Sequence, residues 1–326
     1  MLRSYLLLML IIPTLFLCCV LEAKETDNIT GRYKRIEDST EILDQEMNRR
    51  LKELEEEANS DGIPCDKPRD MRVLFHDLNG SRFFIGSMES WAEDNEKIAK
   101  RSMPAHDSVY EGVLENGWIF NRLKLASTIK VNGQLIGTDK LGHFIDQGFE
   151  FYTPYRQSGY RMSVALDGSL GSEKGYSGGG STGAVSYADA TANYHGIRFY
   201  HNLTEGQSPY FRCSQGKWKQ VRAFSFSEYV DAGWDEGINC SGIPSKEGRA
   251  QFDKNIQKLE VEAQRAGKGE RYKCPADPQA CVEIQARYMS VDRYVVSPEC
   301  RKAAATTTPV SKTGTGTGRK NTSGVK

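Results

Sequence analysis

Sixteen residues, Gly137-Thr-Asp-Lys-Leu-Gly-His-Phe-Ile-Asp-Gln-Gly-Phe-Glu-Phe-Tyr152, hold the densest set of side chains able to do chemistry. Thr138 is placed to cap a helix, and at about 100° per residue Asp139, His143, Asp146 and Glu150 then fall within roughly 60° of one another. Leu141, Phe144, Ile145, Phe149, Phe151 and Tyr152 take the opposite side, and Lys140 lies off the acidic face. Carboxylates and an imidazole on one narrow face can hold a divalent metal, with His143, Asp139 and Asp146 as ligands, or orient an acid and a base. An acidic stripe facing solvent, with an incidental histidine, has the same pattern.

A second helix is expected from Tyr187 to Leu203, and its polar residues sit on the unexpected side. Asp189 and Asn193 share a face with Ala192, Gly196, Phe199, Tyr200 and Leu203, whereas His195, Arg198 and Asn202 point the other way. A buried Asp and Asn need partners, because stranding a polar group in a core costs several kcal/mol. His143 and Lys140 on the first helix are the natural candidates, and Gly196 permits the close approach. His195 and His201 read as surface residues. Glu173, in the glycine-rich run between the helices, is one more acid within reach, which completes a candidate catalytic set of His143, Asp139, Asp146, Asp189, Asn193 and Glu173. The same pairing serves equally as a polar lock between two helices.

Two Gly-x-Ser-x-Gly matches, Gly175–Gly179 and Gly179–Gly183, formally fit a nucleophile elbow, but no apolar strand runs into either serine, as an elbow requires. Twelve glycines between Gly133 and Gly183 generate such matches by chance.

The elements that must position these residues are a mixture. Asp38-Ser-Thr-Glu41 reads as a capping box opening a helix whose stripe, Leu43, Met47, Leu51, Leu54 and Ala58, packs on the main body; the stripe is too short for a coiled coil. Met71–Phe75 and Ser81–Ile85 read as strands around an Asn79-Gly80 turn, followed by a helix over 89–101. Glu247–Ala266, with Phe252, Ile256, Leu259 and Ala263 on one face, is another amphipathic helix. The expected fold is a single α+β domain, helix-rich with short strands and Gly-rich loops, stabilised by disulfides.

From Tyr5 to Leu21 the chain is apolar except for Thr14, a run of 17 residues behind Arg3. That is shorter than the roughly 20 a membrane span needs, and Pro13 interrupts it, so residues 1–23 read as a signal peptide cleaved after Ala23. A lipid anchor at Cys18 and an uncleaved anchor are the alternatives. The remaining six cysteines are even in number and lack any C-x-x-C, which favours three disulfides of unassigned pairing over a zinc site. Residues 24–64 form an N-terminal segment, 65–300 the main domain and 301–326 a disordered tail. The tail carries six cations and no acid, and since the chain is neutral overall with Arg3 and Glu22 cancelling, residues 24–300 carry −6. Through this basic tail the expected partner is an anionic envelope polymer or membrane surface rather than nucleic acid.

Gly137-Thr-Asp-Lys-Leu-Gly-His-Phe144, with Ser186-Tyr-Ala-Asp189 and Trp234-Asp-Glu-Gly-Ile-Asn-Cys-Ser241, resembles a group of uncharacterised bacterial exported proteins without an assigned activity. The resemblance implies a periplasmic or envelope setting and says nothing about catalysis, and in that setting the Asn-x-Ser/Thr sequons carry no glycan. The sequence therefore leads to an exported envelope or secreted protein, first read as a hydrolase with a His/Asp centre, with or without a metal, and second as a non-enzymatic binding or structural protein.

Overall fold

The structure is a computed structural model, and it describes residues 25–80, 87–113, 125–175, 179 and 183–307. Its order is α1 (Thr40–Ser60), α2 (Pro68–Asn79), α3 (Met88–Asp94), β1 (Lys100–Arg101), β2 (Thr128–Val131), β3 (Gln134–Gly137), α4 (Asp139–Gly142), a π turn (His143–Gln147), α5 (Gly148–Gln157), α6 (Met162–Lys174), α7 (Tyr187–Thr204), β4 (Phe211–Ser214), β5 (Lys217–Gln220), α8 (Lys246–Arg265), α9 (Pro278–Tyr288), α10 (Asp292–Val295) and α11 (Pro298–Thr306). Helices thus dominate a single mixed α+β domain, as expected.

The chain enters buried: Glu25 to Asn28 are at most 5% exposed, and Thr26 bridges in parallel to Ala126. Helix α1 follows, with all five stripe residues fully buried against the main body. Its start differs from a capping box. Asp38 accepts from the Thr40 and Gly133 amides, while exposed Glu41 accepts from Gln45 instead of reaching back.

Residues 71–75 are helical, not a strand. Pro68 at the first turn fixes a helical φ, and Met71, Phe75 and Asn79 then recur every fourth residue on the buried side. Asn79 is the last residue of this helix rather than part of a hairpin; 81–85 lie outside the described residues. Helix α3 ends at Asp94, where Asn95 turns extended, so the expected helix over 89–101 gives way to strand β1. The working Asn-Gly turn is Asn132-Gly133, both at positive φ, which closes the β2–β3 hairpin in register Val131↔Gln134. Strand β1 pairs antiparallel with β2, and β4–β5 form a separate hairpin.

Helix α7 is the axis of the core, with 13 of its 18 residues buried. Gly196 lies against the π turn and α5 so closely that a Cβ there would stand 2.2 Å from the Phe144 carbonyl oxygen and 2.7 Å from the Gly148 Cα. Only glycine fits.

The six cysteines pair as Cys65–Cys213, Cys240–Cys274 and Cys281–Cys300. Helix α11 corrects the extent of the tail: Ser297 caps it, Pro298 opens it, Cys300 staples it and Ala303–Ala305 favour it, so Arg301–Thr306 are helical and not disordered. Residues 1–23 and 308–326, with the signal and the rest of the tail, lie outside the described residues, as do Ser177 and Ser181 of the glycine-rich matches. Among the described residues no helix is long and apolar enough to cross a membrane.

Two outcomes follow from this packing. Leu51→Ala, which empties a fully buried site on α1, should lower stability by about 2–5 kcal/mol in chemical denaturation. Thiol counting on the unreduced chain from Lys24 onward should find no free thiol, and six after reduction.

Candidate functional site

Helices α4 and α7 bring two polar groups together. Ser186 caps α7 by accepting from the Asp189 amide, which places Asp189 in the first turn, and the Gly196 crossing presses that turn onto α4. His143 Nε2 lies 3.2 Å from Asp189 Oδ2, and its Nδ1 lies 3.1 Å from Asn193 Oδ1. Asn193 donates its amide to Gln147 and Ser169, so its oxygen is the atom turned toward the ring. Both ring nitrogens therefore face acceptors, and the ring is arranged to donate at each as an imidazolium. The His143 side chain is 14% exposed.

Lys140 is the residue the helical wheel misplaced. Although expected off the polar face, it is completely buried, with Nζ 2.6 Å from Asp189, 2.6 Å from Glu236 and 2.9 Å from Asp139. Asp139 also accepts from the Thr26 hydroxyl and the Lys140 amide. Glu236 accepts from Ser186 and Tyr110. Thr138 stands at the N-cap, but its hydroxyl bonds Glu93 instead of capping the helix.

Asp146 and Glu150 do not join this group. The π turn at 143–147 advances fewer degrees per residue than an α-helix, which carries Asp146 away from His143 and puts Gln147 against Asn193. Asp146 instead lies 3.5 Å from His76, and Glu150 is exposed. Glu173 does approach: at the end of α6, 1% exposed, it sets Oε1 3.9 Å from His143 Nδ1, and that oxygen has no hydrogen-bond partner among the described residues.

Burial and charge separate these groups by protonation. Burial works against a charge on His143, but the carboxylates of Asp189, Glu173 and Asp139 override it and raise its pKa to about 10. Burial likewise opposes ionisation of Asp189, and His143 with Lys140 hold it well below the usual carboxylate range. For Glu173, burial followed by repulsion from Asp189 prevails, and its pKa rises to about 8. Burial also lifts Glu236 to about 7, against the pull of Lys140. The Lys140 ammonium, opposed by burial and favoured by Asp139, Asp189 and Glu236, is held charged far above the ordinary lysine range.

Asp139, His143 and Asp189 each offer a donor atom within 4.8 Å of the others, the spacing of a cation site. The Lys140 ammonium already lies against two of those carboxylates and supplies positive charge there.

The other two helical histidines also differ from expectation. His195 is fully buried, bonded to the Tyr288 hydroxyl 2.7 Å away, because α7 at the centre of the core has no outer face on that side. Burial followed by the charges of Arg198 and Arg287 pushes its pKa well below the ordinary value. His201 is half-buried beside Glu205. Glu236, Thr26, Tyr110 and Ser186 were not singled out as site residues from sequence, whereas Lys140 was expected as a partner of Asp189 and is one. Glu236 does stand in the 234–241 stretch that carries the family resemblance, and Lys140 adjoins Asp139. No protein-family model, curated protein or solved structure matches the chain.

Asp189→Ala leaves a buried ammonium and an imidazolium short of a partner, and should cost about 3–5 kcal/mol in denaturant midpoint analysis. A solvated acid would cost under about 0.5 kcal/mol. The pH dependence has a definite sign. With folded pKa values of about 10 for His143 and about 8 for Glu173, against roughly 6.5 and 4.3 in an unfolded chain, the folded state binds more protons than the unfolded one between those limits. Stability should therefore fall as pH rises from about 4.5 to 10. Asp189 acts oppositely, its contribution being lost only as pH drops below about 4. Melting temperatures across pH 4–10 should peak on the acid side of neutrality, and His143→Asn should flatten the alkaline limb.

Proposed function

We propose that the protein is an exported hydrolase, acting in the periplasm or outside the cell, whose acid–base centre is His143 with Asp189 and Glu173. One observation carries this reading: two carboxyl groups flank a single imidazole, Asp189 3.2 Å from Nε2 and Glu173 3.9 Å from Nδ1 with its Oε1 unpartnered among the described residues, in surroundings that raise the Glu173 pKa and lower that of Asp189. Environments that push two titratable neighbours apart in pKa are how one site holds an acid ready beside a fixed charge.

In this reading Glu173 gives its proton to the leaving group. The carboxylate so formed stands 3.9 Å from the His143 imidazolium, which stabilises it. The attacking water returns a proton to Glu173 and restores the starting state. Asp189 holds the ring charged and Asn193 fixes its plane. Lys140, Asp139 and Glu236 position Asp189 from behind. In a metal-dependent version the ligands would be Asp139, His143 and Asp189, and a divalent ion would supply Lewis acidity there once Lys140 moved aside.

The second reading, a non-enzymatic envelope protein with the cluster as a polar lock, is favoured by one feature: the three carboxylates around Lys140 and the acceptors at both nitrogens of His143 all come from within the fold. The basic end of the chain would then make the contact with an anionic polymer or membrane.

Purified chain assayed against chromogenic esters, phosphoesters, glycosides and amides separates the two. Hydrolysis that Glu173→Gln lowers by about 10²–10⁴-fold is the expected result. Because glutamine mimics the protonated carboxyl, its melting temperature should stay close to wild type at pH 7. No turnover by the wild type gives the lock reading, and full activity in Glu173→Gln overturns the role of Glu173 as the acid. Elemental analysis of the same preparation finding no metal removes the metal-dependent version.

A further inference from the structure

A groove of about 630 Å³ runs between the segment after the buried N-terminal stretch, the β2–β3 hairpin and the loops at 235–238 and 276–277, and its walls carry Arg32, Tyr33, Lys34, Arg35, Lys130 and Gln134. Four cations in one groove stand out on a body whose net charge is −6 between residues 24 and 300.

The acids there are already engaged. Asp235 holds Arg32 at 3.1 Å and accepts from the Gly237 amide. Asp277 caps α9 by accepting from Gln279 and Ala280. Asp38, whose field reaches Lys130, has its oxygens on Thr40 and Gly133. Lys34 and Lys130 have no ion-pair partner among the described residues, and Arg35 has only the solvent-exposed Glu37, a pair that contributes little. Their charge is therefore available to a ligand.

Tyr33 adds a second, independent feature. The residue is 47% exposed, yet its ring is clamped: the hydroxyl donates to the Arg271 carbonyl and accepts from the Arg271 amide, Tyr272 meets the ring edge-on at 5.5 Å, and the Arg32 guanidinium lies 6.0 Å from its centroid. A rigid, half-exposed aromatic wall binds a flat or ring-shaped group without the entropy cost of ordering it.

We infer that this groove binds an acidic oligosaccharide, with uronate carboxylates at Lys34 and Lys130, a sugar ring against Tyr33, and sugar hydroxyls hydrogen-bonded to Gln134 and Asp277. A nucleic acid fits less well, because its phosphates would be pressed onto the Asp235 and Asp277 carboxylates. A uronate ring carries donor hydroxyls beside its one charge, and a carboxylate accepts from those hydroxyls. The site is separate from the His143 centre and stands whether or not that centre is catalytic.

The test is titration of the chain, tail included, with tetragalacturonate, the neutral galactose tetramer and a short oligothymidylate, read by calorimetry at two salt concentrations. Tetragalacturonate should bind best and weaken with salt. Lys34→Glu/Lys130→Glu should lose at least about tenfold, equivalent to about 1.4 kcal/mol. Tyr33→Ala should lose severalfold for the uronate tetramer, with unchanged melting temperatures confirming that both variants are folded. Absence of binding at millimolar tetragalacturonate, equal binding by the charge-reversed variant, or tighter binding of the oligothymidylate each overturns the inference.

Discussion

Everything near the centre of this protein is arranged around one ammonium group that water does not reach. Taking a lysine out of solvent costs several kcal/mol after relaxation, and the loss is recovered only when carboxylates close around it with good geometry. Lys140 recruits its three from different parts of the chain: Asp139 beside it, Asp189 on α7 and Glu236 in the loop before Cys240. Thr26 extends the network to the first described residues, and Tyr110 and Ser186 close it around Glu236. Segments separated by more than 200 residues in sequence are thus fixed against one charge, and a register error in any of them would leave an ion unpaired in the core. Such a cluster specifies one arrangement more than it stabilises the fold.

The close crossing of α7 over the π turn and α5 sets the spacing within that arrangement. Gly196 and Gly148 bring the backbones together, and the π turn absorbs a residue where they meet. The rotation this introduces decides which side chains face inward: His143 and Gln147 do, and Asp146 swings to His76. A π turn is rare and is found frequently at functional sites, in keeping with its position at His143.

Much of this was legible in the sequence, and the failures have definable causes. Amphipathic helices with a single clean stripe, such as Leu43–Ala58 and Phe252–Ala263, could be read because one period explains each of them. Asp189 and Asn193 could be read because polar residues on an apolar face demand partners. The wheel failed at Asp146, since a uniform 100° step cannot represent a π turn, and at Lys140, which precedes that turn, because carboxylates from α7 and the loop at 236 close around its ammonium. A surface assignment failed at His195 because a helix surrounded by others has no solvent face, whatever its polar residues suggest. Met71–Phe75 was misread as a strand because a five-residue apolar window does not separate the two periods, while Pro68 just upstream did indicate a helix. Glu236 had no periodicity to reveal it; loops bring distant charges together through tertiary packing alone.

The disulfide pairing divides the chain in a way that matters wherever proteases act on exposed loops. A single cut anywhere between Cys65 and Cys213 leaves both pieces covalently joined, and the site helices α4 to α7 all lie within that span. Cuts between Cys240 and Cys274, or between Cys281 and Cys300, are bridged in the same way. Between Cys65 and Cys300 only the connections 214–239 and 275–280 lack a bridge across them, as do the segments before Cys65 and after Cys300. A nicked molecule can therefore keep its site assembled, and its apparent size on a non-reducing gel, long after its backbone has ceased to be continuous.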